Sequence, residues 1–124
     1  MAHEKRKEAW HYVIARCDDP ARLGAIRLNK IMWFADRYAY RVNGASITAD
    51  SYVKQRLGPV PKNVRAAISE LAGEDKIAVR EATVPGGYVM RHFFGTKDAD
   101  GETLSEQDRK ILDAFMNVIC DNFS

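Results

Sequence analysis

The most regular hydrophobic pattern in the chain lies between residues 25 and 42. Apolar residues recur there at intervals of three, four and seven, which is the period of one face of an α-helix. Further apolar side chains, Trp33, Phe34 and Tyr40, lie outside that face. A helix that is apolar beyond one stripe is typically contacted from several sides, so we predict that it occupies the centre of the fold. The residues predicted to form its inner face are Leu28, Ile31, Met32, Ala35, Tyr38, Ala39 and Val42.

Three further segments have helical periodicity. The first, residues 3–17, has a buried stripe and a charged side that we interpret as solvated. The second, residues 61–72, starts at a proline, which suits the first position of a helix. The third, residues 105–121, begins with Ser105 and Asp108 at the spacing of a capping box. The side chains predicted to be solvated on the first helix are Glu4, Lys5, Arg6, Lys7, Glu8, His11 and Arg16.

Strand signals are concentrated in the second half of the chain. Residues 76–83 and 88–94 flank the turn sequence Val84-Pro85-Gly86-Gly87 and predict a β-hairpin. Residues 52–57 are compatible with a short strand, and a short helix that starts at Thr48 or Asp50 is the alternative. We interpret Gly58-Pro59-Val60-Pro61 as a sharp turn that starts the next helix at Pro61. The predicted fold class is mainly α with a β-hairpin (α+β), with about four helices around the central one and a winged-helix-like step from helix to hairpin.

The composition is that of an ordinary globular chain, with 46% apolar and 29% charged residues, and its 124 residues predict one domain over 1–124. No apolar run approaches the length of about 18 residues that spans a membrane. The charged N-terminus lacks the apolar core of a secretion signal. We therefore expect a cytoplasmic chain with no membrane partner. Cys17 and Cys120 are expected to be buried, reduced thiols, and a disulfide between them is the alternative.

Charge is distributed unevenly along the chain. Residues 1–65 contain thirteen Lys and Arg against six Asp and Glu, whereas residues 66–124 contain six against eleven. This asymmetry favours a surface that binds acidic partners, protein or nucleic acid. The alternative is that the two halves pack together and the charges are solvated on all sides.

A candidate binding surface lies on the less buried side of the central helix. Arg27, Lys30, Phe34, Arg37 and Arg41 follow one another there at steps of three and four. Arginine and aromatic residues are enriched at the anchor points of protein interfaces. Alternatively, Phe34 is covered by another element and the arginine stems lie over it. The residues predicted to contact a partner are Phe34, Arg37, Arg41, Lys54 and Arg56.

The sequence contains no motif that indicates catalysis. A phosphate-binding glycine loop, a His-Glu-x-x-His pair and a Gly-x-Ser-x-Gly elbow are all missing. We predict no catalytic residues, no metal ligands and no cofactor, and an enzyme is the least supported class. We interpret His92 as structural. Asp98-x-Asp100-Gly101 lacks the later ligand positions of a calcium loop and is interpreted as a turn.

One set of motifs resembles a known family. Leu28-Asn29-Lys30-Ile31-Met32-Trp33-Phe34-Ala35-Asp36 is followed by Gly44, Ile47-Thr48, Tyr52, Gly58-Pro59-Val60-Pro61 and Leu71-Ala72-Gly73-Glu74-Asp75-Lys76-Ile77. In this order and spacing, residues 26–77 resemble the SocA/GepA-type antitoxin domain, also called Panacea. Met32-Trp33 stands where leucine and tyrosine are more usual, and family chains often continue beyond the position of Ser124.

The resemblance implies a bacterial or phage-borne protein that neutralises a toxin encoded beside it. At least one member of the family delivers its toxin to the ClpXP protease, and the family has no settled catalytic residues. Our leading hypothesis is therefore an antitoxin-like interaction module, not an enzyme. Its partners would be a cognate toxin and a ClpXP-type protease, and the sequence leaves open whether it forms a homodimer.

The alternative hypothesis is a winged-helix-like transcriptional regulator that binds DNA. Lys62 and Arg65 at the start of the third helix would then contact phosphates, together with Arg80 and Arg91 on the hairpin. Such binding would weaken steeply with added salt.

Overall fold

The computed structural model describes residues 2–16, 24–56, 58–83, 85–87, 89–96 and 103–121. These residues form four α-helices, two antiparallel β-hairpins and a short π-helix, which confirms the α+β class. The helices are α1 (Ala2–Arg16), α2 (Ala25–Asn43), α3 (Val64–Gly73) and α4 (Glu106–Met116), and the π-helix (Asn117–Asp121) continues from α4. The strands are β1 (Tyr52–Gln55), β2 (Gly58–Pro61), β3 (Ile77–Thr83) and β4 (Val89–Gly95).

Helix α2 is the centre of the fold, as its apolar pattern predicts. It contacts α1, α4, the π-helix, β2 and β4. The helix ends where predicted, because Gly44 adopts a left-handed conformation (φ 76°) and its N–H donates to the Tyr40 carbonyl. Tyr38 and Val42, however, are half exposed, so their predicted place on the inner face is wrong. The buried residues of the inner face are Leu28, Ile31, Met32, Ala35 and Ala39.

Helix α1 is buried more completely than predicted. Trp10, Val13 and Ile14 belong to the core as expected, but Lys7 and His11 are also buried. The Lys7 Nζ lies 2.7 Å from a carboxylate oxygen of Glu74, the residue that follows α3, and 3.6 Å from one of Glu70 on α3. The hydrogen bond to Glu74 holds the pKa of Lys7 above its ordinary value. The prediction that this side of α1 is simply solvated is therefore wrong at two positions.

The segment Gly58-Pro59-Val60-Pro61 forms strand β2, so its interpretation as a turn that starts a helix is wrong. It pairs antiparallel with β1, with Tyr52 opposite Pro61 and Gln55 opposite Gly58. Lys62 N–H donates to the Ser51 carbonyl over 2.8 Å. Because N–H directions alternate along a strand, the N–H groups of Gly58 and Val60 also point towards β1. The backbone nitrogens of the two prolines, which carry no hydrogen, point away from β1. The strand interpretation of residues 52–57 is thereby confirmed at Tyr52–Gln55.

The second hairpin and the last helix form as predicted. Strand β3 pairs with β4 in an antiparallel register that sets Val79 opposite Phe93. At the start of α4, the Ser105 hydroxyl accepts from the Asp108 N–H and the Asp108 carboxylate accepts from the Ser105 N–H, which is a capping box. Helix α3 begins at Val64, three residues later than predicted, because Pro61 belongs to β2.

Several predictions concern positions outside the described residues. These are Cys17, the turn over Asp98 to Gly101, and the side chains of Arg91, His92 and Cys120. Among the helices that the structure describes, none is both long enough and apolar enough to cross a bilayer.

Candidate protein-binding site

A single buried carboxylate fixes the first hairpin on the central helix. Asp36, which is 3% exposed, points from α2 towards the segment that leads into β1. One carboxylate oxygen accepts from the N–H groups of Ile47 (2.9 Å) and Thr48 (3.0 Å). The other accepts from the Thr48 hydroxyl (2.6 Å) and the Tyr52 hydroxyl (2.7 Å). Four donors in protein replace water around this charge, so the carboxylate is buried without being left unsatisfied.

The same contacts change the chemistry of Tyr52. Burial raises the pKa of the Tyr52 hydroxyl well above its ordinary value, and the neighbouring Asp36 carboxylate raises it further. The hydroxyl therefore keeps its proton and remains a hydrogen-bond donor at every physiological pH. The hairpin that carries Lys54 and Arg56 is thus anchored to α2 by a hydroxyl donor that keeps its proton at physiological pH.

The exposed side of α2 carries three of the residues predicted to contact a partner. Phe34, Arg37 and Arg41 are all exposed, and Lys30 and Tyr38 are exposed beside them. We call these five residues the α2 face. Lys54 and Arg56 are exposed on the adjoining β1–β2 hairpin. The structure places these side chains in solvent, and their role in binding stays a prediction.

An aromatic cluster lies within the α2 face. The Phe34 ring stacks on Phe115 of α4 at 5.9 Å with an interplanar angle of 13°, and Trp33 meets Phe34 edge to face at 4.8 Å. Tyr38 meets Phe115 edge to face, with the two ring centres 6.0 Å apart. Phe34 is nevertheless 41% exposed and Tyr38 is 49% exposed. The cluster is therefore held rigidly by α4 on one side and open to solvent on the other.

Arg37 contributes its charge to this cluster. Its guanidinium lies 4.7 Å from the centre of the Trp33 ring, which is a cation–π contact. The alternative interpretation of Phe34 holds in one respect, because Phe115 of α4 stacks on its ring, whereas the Arg37 guanidinium lies over Trp33 and not over Phe34. The Phe34 ring itself contacts the rings of Phe115 and Trp33 and remains 41% exposed.

The basic side chains of the described residues differ in whether they face a carboxylate. On α1, α4 and the start of β3, basic side chains face carboxylates, as in Arg16 with Asp113 and Lys76 with Glu74. On α2 and the β1–β2 hairpin, in contrast, no ion pair is formed within the part of the chain that the structure describes. The only acidic residue of α2 is Asp36, which is buried and turned inwards. Among the described residues, the exposed cations of these two elements that form no ion pair are Lys30, Arg37, Arg41, Lys54 and Arg56. Arg27, at the start of α2, is partly buried, and one of its guanidinium nitrogens has no hydrogen-bond partner there.

The residues of the DNA-binding hypothesis do not share one surface. Lys62 and Arg65 are exposed at the start of α3. Arg80 lies over the Phe94 ring at 5.7 Å. Val79 and Glu81 line the same cleft as Arg65. Because side chains alternate between the two faces of a strand, Arg80 lies on the opposite face of the hairpin. The backbone of Arg91 lies opposite Glu81, and its side chain is outside the described residues.

Within the described ranges, no group of three or more His, Cys, Asp or Glu side chains is placed to hold a metal ion. The arrangement on α2 instead offers a fixed aromatic surface and uncompensated positive charge. This combination can bind a partner that presents carboxylates around an apolar contact.

The sequence was compared with known families, and residues 28–122 match the model of the SocA-like antitoxin, Panacea domain. The chain belongs to the SocA-like antitoxin family. No curated protein and no solved structure matches the chain significantly. The match includes α2, both hairpins, α3 and α4, so the α2 face and its supporting cluster lie within the Panacea domain.

The structure explains why several motif residues of this Panacea domain occur together. Asp36, Thr48 and Tyr52 are distant in the sequence but form one hydrogen-bonded network. Gly58-Pro59-Val60-Pro61 is the strand that pairs with Tyr52 and its neighbours. These residues build the fold and are not themselves the exposed surface.

Sequence reasoning missed Tyr38 and Phe115 as members of the candidate site. The spacing of Phe34 and Tyr38, four residues apart, was a usable signal, because such residues are neighbours on a helix. Phe115 is 81 residues away from Phe34 in the chain and gave no local signal.

Proposed function

We propose that this SocA-like chain neutralises a cognate toxin in the cytoplasm by binding it directly through the α2 face. The observation that carries this proposal is the unpaired charge of that face: Lys30, Arg37 and Arg41 lie beside exposed aromatic rings, and none of the three pairs with a carboxylate among the residues that the structure describes. A toxin surface with acidic residues around an apolar contact would satisfy both features. The charges would mainly accelerate and orient the encounter, and the aromatic rings would supply buried area.

A second copy of this chain fits the α2 face poorly. In a symmetric pair, each residue of the face would lie near the same surface on the other copy. Arg37 and Arg41 would then approach like charges, and like-charge contacts at an interface are costly. The charge of the face therefore supports a different, acidic partner rather than a homodimer through this surface.

Direct binding is the step that sequestration and proteolytic delivery share. A toxin that is only sequestered would accumulate in a complex, whereas a toxin delivered to a ClpXP-type protease would disappear. We therefore propose binding as the function, with delivery as a further step that is recognised by recovery of the toxin in a protease-deficient host.

The test is capture of the product of the neighbouring gene by the tagged chain and by variants. Combining Arg37→Glu with Arg41→Glu should weaken capture by about a hundredfold. Each change replaces attraction to the toxin's acidic residues by repulsion, at a contact from which water is excluded on binding. The matched control combines Lys62→Glu with Lys110→Glu, an equal charge change on α3 and α4, and should stay within about threefold of wild type. Equal loss in both double variants, or no loss in either, would reject the α2 face as the binding site.

Binding to DNA is the second candidate, and one observation favours it: Lys62 and Arg65 are exposed and form no ion pair within the described residues. Binding to the chain's own promoter region should then weaken with salt, by about one power of salt concentration for each phosphate contacted. Lys62→Glu and Arg65→Glu should both reduce it. Promoter binding that is insensitive to salt and to both changes would reject this candidate.

A further inference from the structure

A concave surface lies away from the α2 face. It is a cleft of about 460 Å³ between the start of α2, strand β2, helix α3 and the β3–β4 hairpin. Its volume is within the range of natural ligand-binding pockets, roughly 300–1,000 Å³. The cleft meets α2 at Leu28 and Asn29, and Leu28 belongs to the buried side of that helix. The two surfaces are therefore on different sides of α2.

The walls of the cleft are mostly apolar and only partly covered. Val64, Ile68 and Ala72 form a stripe along α3 at steps of four residues, and they pack against the core while remaining partly exposed. Opposite them, Val79 and Phe93 form a cross-strand pair of the hairpin. Val79 is 36% exposed, so the apolar wall is open to solvent.

The cleft carries one uncompensated charge. Arg65 lines it, is exposed, and has no ion pair or hydrogen bond in the described part of the chain. Glu81 also lines it but already interacts with another group of the chain. Asn29 and Ser69 add neutral polar groups. An occupant that complements this lining has apolar side chains and a carboxylate placed for Arg65.

We propose that this cleft is a second docking site, which receives a segment of the partner toxin with apolar side chains beside an Asp, a Glu or a terminal carboxylate. The carboxylate binds Arg65, and the apolar side chains lie between the α3 stripe and the Val79–Phe93 pair. This inference rests on the proposed function for the identity of the partner. It adds a separate surface, and its test uses separate residues.

The experiment is binding of the full chain to an array of overlapping 12-residue peptides that covers the product of the neighbouring gene. Peptides with an acidic residue beside apolar ones should bind. Arg65→Glu reverses the charge, and Ser69→Phe places a ring over the cleft from an exposed helical position. Each should weaken peptide binding by about tenfold or more.

Two control variants keep the result interpretable. Lys62→Glu makes the same charge change at a residue that does not line the cleft, and Ala66→Phe adds the same ring at another exposed position of α3. Both should bind peptides within about twofold of wild type.

Absence of any bound peptide, or equal effects of cleft and control variants, would overturn the proposal. If the wild-type chain still captures the whole toxin, and capture still depends on Arg37 and Arg41, the proposed function stands without this second site. If the wild-type chain does not capture the toxin at all, the proposed function is rejected.

Discussion

Asp36 shows how one residue can determine the position of a whole hairpin. Its carboxylate accepts four hydrogen bonds from residues that follow α2, and this brings Tyr52 and strand β1 onto the helix. Aspartate in the middle of a predicted helix is ordinarily read as solvent-exposed, because few carboxylates are fully buried. Nothing in the sequence indicated that Asp36 is buried, since its partners are 11 to 16 residues away.

The raised pKa of Tyr52 predicts how stability depends on alkaline pH. The folded chain holds this proton more tightly than the unfolded chain, so stability is fully present below about pH 10 and is lost as pH rises further. The loss from one such group is at most about 1.4 kcal/mol per pH unit. Tyr12 and Lys7, whose pKa values are also raised, contribute to the same loss.

Tyr52→Phe isolates the share of Tyr52. At neutral pH this variant should be less stable by about 1–2 kcal/mol, because one donor to Asp36 is lost. Above about pH 10 its free energy of unfolding should fall less steeply than that of wild type. Urea unfolding at several values between about pH 8 and pH 11 measures both slopes. Parallel curves would mean that the Tyr52 proton is not held as the structure implies.

At the scale of secondary structure, local patterns predicted most elements and failed at one motif. Periodicity located α1 and α2, two strand signals around a proline–glycine turn located the β3–β4 hairpin, and the spacing of Ser105 and Asp108 located the start of α4. The motif Gly58-Pro59-Val60-Pro61 was interpreted as a turn because proline is rare inside strands. Its prolines are tolerated here because both face away from β1, a feature that depends on the register and not on local propensity.

The contact between α1 and the second hairpin leads to a prediction about glycine. Gly95 ends β4 against α1, and a methyl group added there would lie 2.7 Å from the Ala15 Cα. Gly95→Ala should therefore push the two elements apart and destabilise the fold by about 1–3 kcal/mol.

Gly73 supplies the matched control for this prediction. A methyl group at Gly73, the last residue of α3, meets nothing within 4 Å. Gly73→Ala should therefore change stability by no more than about 0.5 kcal/mol in either direction. Thermal or urea unfolding of both variants compares them directly. Equal stability of the two would show that α1 does not pack against Gly95 as described.

At the scale of the whole molecule, charge is sorted by location. The basic residues of α1 and α4 are largely used in contacts within the chain, whereas those of α2 and the β1–β2 hairpin form no ion pair with any residue that the structure describes. The sequence indicated an excess of positive charge in its first half, but it could not separate paired from unpaired cations. That distinction requires tertiary contacts such as Lys7 with Glu74, which join residues 67 positions apart.

The candidate site was predictable in outline from the helical spacing of Phe34, Arg37 and Arg41. Its support by Phe115, and the exposure of Tyr38, depend on the packing of α4 against α2. The extent of the domain over residues 1–124 stays a prediction, since the family match begins at Leu28. Helix α1 nevertheless contributes Trp10, Val13 and Ile14 to the same core as α2.

The central claim is that the α2 face of this SocA-like antitoxin neutralises a toxin by binding it. The most direct measurement is growth of cells that express the product of the neighbouring gene together with this chain. Wild type should restore growth, and the folded Arg37→Glu, Arg41→Glu double variant should not, while the Lys62→Glu, Lys110→Glu control restores growth like wild type. Failure of the wild-type chain to restore growth, or full rescue by the Arg37→Glu, Arg41→Glu variant, would contradict the claim.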